Sequence, residues 1–201
     1  RVVHANVAGY DAPVPIGHID EVSHTYAYYR TAFYGMLNEK QVVLGESTCS
    51  SLSPLSYAKP AHPGGKALLG MQSLTHLALE RCADSRCAAT TAGRLAEAHG
   101  FYQDEETPTG EAFAVGDPHD VWLFHVLPDS TGASAVWAAA RLPPGHIAVI
   151  ANMFTIRRLN LSDTANFLAS RNIEAEAERA GWERGTPLDF TAVFSAGEYV
   201  A

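Results

Sequence analysis

Val121-Trp122-Leu123-Phe124-His125-Val126-Leu127 is an apolar run of strand length. Two more runs follow it, Ser134-Ala135-Val136-Trp137-Ala138-Ala139 and His146-Ile147-Ala148-Val149-Ile150. Turn-forming clusters separate them: Gly116-Asp117-Pro118, Pro128-Asp129-Ser130-Thr131-Gly132 and Pro143-Pro144-Gly145. With a fourth strand over residues 111–115, they predict an antiparallel meander. A run with so little polar alternation belongs to a sheet covered on at least one face.

Upstream the periodicity changes. Over residues 66–81, Leu68, Met71, Leu74, Leu77 and Ala78 recur at spacings of three and four, which predicts one apolar face of a helix. Asp84-Ser85 can cap a second helix and Gly100 can end it. Its face of Ala88, Ala92 and Leu95 is small enough for close packing, so the two helices read as an antiparallel hairpin. Further upstream, residues 24–34 and 41–46 read as two strands joined by a turn over residues 36–40. Residues 9–24 and 50–65 read as loops, and residues 172–180 as a short helix stopped by Gly181. Strands and helices that do not alternate singly indicate an α+β fold, here a single domain over residues 1–201.

Composition bounds the function. The 201 residues are 47% hydrophobic and 18% charged, an ordinary globular balance. The net charge is -8, and the 14 Lys and Arg residues are scattered, so no basic face for nucleic acid is expected. No apolar run reaches the length of a membrane span. The nine histidines form no HxxxH or HxH pair and the three cysteines no CxxC pair, so neither a metal nor an organic cofactor is expected. Cys82 and Cys87 come within reach of each other if a turn separates them, and the odd count leaves one thiol free or paired elsewhere. Asn160-Leu161-Ser162 is a sequon that permits glycosylation in a secreted protein. The compartment stays open between the cytoplasm and a secreted or lysosomal location.

Four segments carry a resemblance. They are Val22-Ser23-His24-Thr25-Tyr26-Ala27-Tyr28; Asn38-Glu39-Lys40-Gln41-Val42-Val43-Leu44-Gly45-Glu46-Ser47-Thr48-Cys49; Gly64-Gly65-Lys66-Ala67-Leu68-Leu69 with Leu79-Glu80-Arg81; and Val121 to Asp129 followed by Ala148-Val149-Ile150-Ala151-Asn152-Met153-Phe154-Thr155-Ile156-Arg157. In this order and spacing the chain resembles the dipeptidase A and secernin family of cysteine N-terminal-nucleophile (Ntn) hydrolases.

The resemblance implies a four-layer α-β-β-α sandwich of antiparallel sheets, with the helical hairpin as one outer layer. It implies a cysteine-type dipeptidase whose mature chain begins with the nucleophilic Cys, the free α-amino group acting as base. That cysteine is expected some tens of residues ahead of Arg1, so the 201 residues read as an internal piece, incomplete at both ends and inactive alone. Asn38 falls on the Asn of the family's N-E-x-G-V pattern, implying an oxyanion contact, while Gln41 stands where the pattern has Gly. Asn152 falls on a second Asn that orients nucleophile or substrate. Glu46, Ser47 and Thr48 are expected to line the cleft, and Arg157 to bind a substrate carboxylate bidentately. His24 and His125 are expected to be packed rather than liganding. Cys49 is internal, has no α-amino base beside it, and is expected to be a small buried residue.

The expected partner is a small peptide, with homo-oligomers left open. Two other functions remain open. One is an amide or acyl hydrolase of the penicillin-acylase and bile-salt-hydrolase kind. The other is a non-catalytic, secernin-like structural or binding protein, since fold alone does not establish activity.

Overall fold

The computed structural model describes residues 1–5, 12–31, 34–52, 65–103 and 109–196. Its centre is a seven-stranded sheet in the order β10-β8-β7-β6-β5-β4-β3. The strands are β3 (Tyr28–Arg30), β4 (Gly35–Asn38), β5 (Val43–Ser50), β6 (Thr109–Gly116), β7 (Val121–Pro128), β8 (Ala135–Arg141) and β10 (Phe167–Ala169). All neighbours pair antiparallel. Two small ribbons flank it: β1 (Val2–Ala5) with β2 (Val14–His18), and β9 (Arg158–Leu159) with β11 (Leu188–Asp189).

The run 121–127 lacks alternation because, beyond the exposed Val121, both faces of the strand from Trp122 to Leu127 are covered. Trp122, Phe124 and Val126 point into one core, against the helices α1 (Met71–Arg81) and α2 (Ser85–His99). Leu127 points into a second core, with Phe154, Ile156 and the helices α3 (Ile173–Arg179) and α4 (Phe190–Phe194). His125 joins it by stacking on Phe154, centroids 5.0 Å apart.

The helical hairpin forms for local reasons. The Asp84 carboxylate accepts the Cys87 N–H at 2.7 Å and caps α2; removing such a cap costs about 1 kcal/mol. Gly100 ends it at a positive φ of 73°. Asp117, in the β6–β7 turn, accepts both the N–H and the hydroxyl of Ser85 at 2.6 Å, which fixes the start of α2 on the sheet. Gly93 is required by packing: a Cβ there would lie 2.3 Å from the Trp137 ring. Cys82 and Cys87 form a disulfide across the α1–α2 turn, with Cα atoms 5.4 Å apart.

Several sequence expectations are corrected. Residues 66–70 are not helical: Leu68 N–H bonds to His99 O at 2.8 Å and Leu69 bridges Phe101, so tertiary pairing claims the first turn. Residues 14–18 form β2 despite Pro15 and Gly17, which a two-stranded ribbon tolerates. Residues 36–38 continue β4 and are not a turn; residues 39–41 make the reversal. The upstream strand is confined to 28–30 among the described residues, with 32–33 outside them. Residues 146–150 join no ladder among the described residues, although they are an apolar run of strand length. Most of the loop expected at 50–65 lies outside the described residues.

Candidate active site

The carboxyl-terminal half of β5 carries Glu46, Ser47 and Thr48, and its alternation splits them between the two faces. Leu44, two residues before Glu46, packs on the helical core, whereas Cys49 belongs to the opposite core. Glu46 and Thr48 therefore face the helix side and Ser47 the other.

Asn152 closes onto this strand from 104 residues away. Its backbone N–H donates to Ser47 Oγ at 3.0 Å, and its side-chain amide donates to Thr48 O at 2.9 Å. Its φ is 55°, a left-handed conformation that Asn tolerates better than most side chains. Phe154 holds the segment down: it is fully buried against His125 and Phe190, and its ring lies where a Cβ on Gly110 would be. Burial pushes the His125 imidazole down to about 3, so it is neutral, and its Nε2 accepts the Thr155 N–H at 3.3 Å.

On the helix side Thr48 Oγ1 donates between two carboxyl groups, to Glu46 at 3.3 Å and to Glu111 at 3.1 Å. Gln103 also donates to Glu111. Glu111 is 3% exposed, and its Oε2 has no hydrogen-bond partner among the described residues. Burial, with the charge of Glu46 adding to it, pushes the Glu111 carboxyl up to about 9. At neutral pH the Glu111 carboxyl is protonated. Nothing in the composition of strand 111–115 signalled this; only the register that sets Thr48 opposite Glu111 brings them together.

Two expected site residues have other work. Asn38 is buried, and its side-chain amide donates to Leu79 O and Cys82 O, both at 2.8 Å. Its Oδ1 accepts the N–H groups of Lys40 and Val42, both at 3.0 Å. Both amide hydrogens are spent on the end of α1, leaving none for an oxyanion. Asn38 thus ties a hairpin to a helix, away from Asn152. Arg157 pairs through Nε with Asp189 at 2.8 Å, the residue that caps α4. The pair sits just ahead of β9 and engages the guanidinium through Nε.

Cys49 is buried with its thiol donating to Ser47 O at 3.3 Å, and burial raises its pKa further from thiolate. A cavity of about 580 Å³ between α2 and β10, lined in part by Arg94, Glu97, Trp137 and Arg171, contains none of the expected site residues. No helix among the described residues is long and apolar enough to cross a membrane.

The family model described as Peptidase family C69 matches residues 18–198. A search of the curated proteins finds no match. The match takes in β5, Asn152 and the whole seven-stranded sheet, and it is the family the four segments resemble: the chain belongs to peptidase family C69, of the dipeptidase A and secernin type.

Proposed function

We propose that the protein is a cysteine dipeptidase whose nucleophile is the first residue of the mature enzyme and lies outside these 201 residues. The observation that carries this reading is the Asn152 corner, where two of the four resembling segments meet at Ser47 and Thr48.

The chemistry follows from the groups. The α-amino group of an N-terminal Cys, with a pKa of ~7.7–8.0, takes the thiol proton near neutrality. The thiolate attacks the peptide carbonyl, the amine leaves with the proton, and water hydrolyses the thioester. Asn152 keeps one amide hydrogen beyond its bond to Thr48 O, and Ser47 keeps its hydroxyl hydrogen. Both are suited to donate to the tetrahedral oxyanion. Glu46, on the helix face of β5 opposite Ser47, lies outside this donor pair.

A four-layer sandwich is the arrangement the sheet's surface supports. Tyr29, Leu37, Val43, Gly116 and Val121 form one cross-strand row. The four large side chains of that row are 64%, 44%, 51% and 36% exposed in that order. An apolar row of this length suits a second sheet packed against it.

The test is turnover of dipeptides against N-acyl amides by the full-length enzyme. Preferential release of amino acids from dipeptides supports the reading. Preference for acyl amides makes the protein an acylase of the same superfamily, and a folded protein inert to both makes it a binding member.

A further inference from the structure

One motif takes no part in the peptidase reading. Asn160-Leu161-Ser162 lies in the turn that follows β9, with Asn160, Leu161 and Ser162 all exposed. The Asn160 side-chain oxygen accepts the Ser162 hydroxyl at 2.7 Å and the Ser162 N–H at 3.3 Å. Asn160 Nδ2 has no hydrogen-bond partner among the described residues, so the nitrogen faces solvent while its own oxygen is held by the hydroxyl of the sequon. The loop is exposed without being loose: Arg86 donates to Thr164 O at 2.7 Å and to Ala165 O at 3.1 Å.

A second observation, independent of the sequon, points the same way. Cys82 and Cys87 are joined as a disulfide across the α1–α2 turn, and structural disulfides persist in oxidising compartments such as the secretory pathway.

We propose that the protein matures in the secretory pathway and carries an N-linked glycan on Asn160. Asn160 Nδ2 forms a bond to the anomeric carbon of a lipid-pyrophosphate-linked oligosaccharide. The anomeric carbon–oxygen bond breaks, the lipid pyrophosphate leaves, and Nδ2 gives up one proton. The Ser162 hydroxyl on Asn160 Oδ1 polarises the carboxamide for that step. The glycan then covers the exposed Leu161 beside it.

The experiment uses the protein isolated from its native cells. Thiols are alkylated without reduction, and the protein is treated with peptide N-glycosidase in heavy-oxygen water. The expected result is a peptide in which residue 160 has become Asp bearing one heavy oxygen, with Cys82 and Cys87 unalkylated and Cys49 alkylated only after unfolding. The glycosidase-sensitive mobility shift should vanish in Asn160→Gln and in Ser162→Ala, both surface changes that leave the fold intact. An unmodified Asn160 peptide from the native protein overturns the proposal. So does alkylation of both Cys82 and Cys87 before reduction, which would put the protein in a reducing compartment. Neither outcome depends on peptidase activity.

Discussion

The Asn152 carboxamide donates to the Thr48 carbonyl at 2.9 Å, joining a loop to a strand more than a hundred residues earlier. The bond holds the strand end and the loop in one geometry, and leaves one amide hydrogen directed elsewhere. Asn152→Ala should lower kcat by ~100- to 1000-fold if that hydrogen stabilises the oxyanion. It should also cost on the order of 1 kcal/mol of stability, because Ala is strained at positive φ. Asn152→Gly removes the amide without that strain. Equal loss of kcat in both variants, with melting lowered more in Asn152→Ala, is the expected pattern. Unchanged kcat in Asn152→Gly contradicts the role.

Asn38 should behave oppositely. Asn38→Ala strips partners from Leu79 O, Cys82 O and the N–H groups of Lys40 and Val42. A buried polar group left unpaired costs ~1–3 kcal/mol, so a loss of several kcal/mol in denaturant unfolding is expected. The fraction that remains folded should keep its kcat. A fall in kcat at unchanged stability would return Asn38 to the oxyanion site.

Gln41 reports the same hairpin from another side. Gln41 N–H bonds to Asn38 O at 3.0 Å, and Gln41 itself sits at a φ of 65°. This is a three-residue loop, a turn followed by a left-handed residue, and the conformation explains the family's Gly at this place. Gln41→Gly should raise stability by about 1 kcal/mol, read as a higher denaturation midpoint at unchanged m-value.

Glu111 sets a pH dependence. Its folded-state value of about 9 lies above the ordinary 4.5, so the folded protein holds a proton that the unfolded chain releases. The stability linked to that proton is complete below 4.5 and is lost as pH rises toward 9. Thermal melting should therefore fall across this window. Glu111→Gln, a neutral group of the same shape, should flatten the profile. Parallel profiles for the two proteins would mean that Glu111 is ionised in the folded state.

What the sequence revealed follows from how local each signal was. The helical hairpin was legible because Asp84, Gly100 and the apolar spacing act within a few residues of themselves. The meander was legible because 121–127 is apolar on both faces. Residues 146–150 form an apolar run of strand length yet pair with nothing among the described residues, since a ladder needs a neighbour that composition does not supply. The two-residue β9 and β11 are too short to leave a pattern. At the site, Ser47 and Thr48 were read as cleft-lining and Asn152 as an orienting residue, but the bonds that join them across more than a hundred residues left no trace in the sequence. At Asn38 the resemblance supplies a position and not the direction of the amide, which donates to the end of α1. The Glu46–Glu111 pair was half visible, Glu111 being hidden in sheet register.

The central claim is that this fold hydrolyses dipeptides with an N-terminal cysteine. The most direct measurement is dipeptide turnover by the purified full-length enzyme, before and after alkylation under native conditions, with the alkylated residue mapped by mass. Turnover should be lost when the first residue, a cysteine, is alkylated while buried Cys49 remains unlabelled. Full turnover after that cysteine is blocked, or a folded enzyme whose mature chain begins with another residue and still cleaves dipeptides, would contradict it.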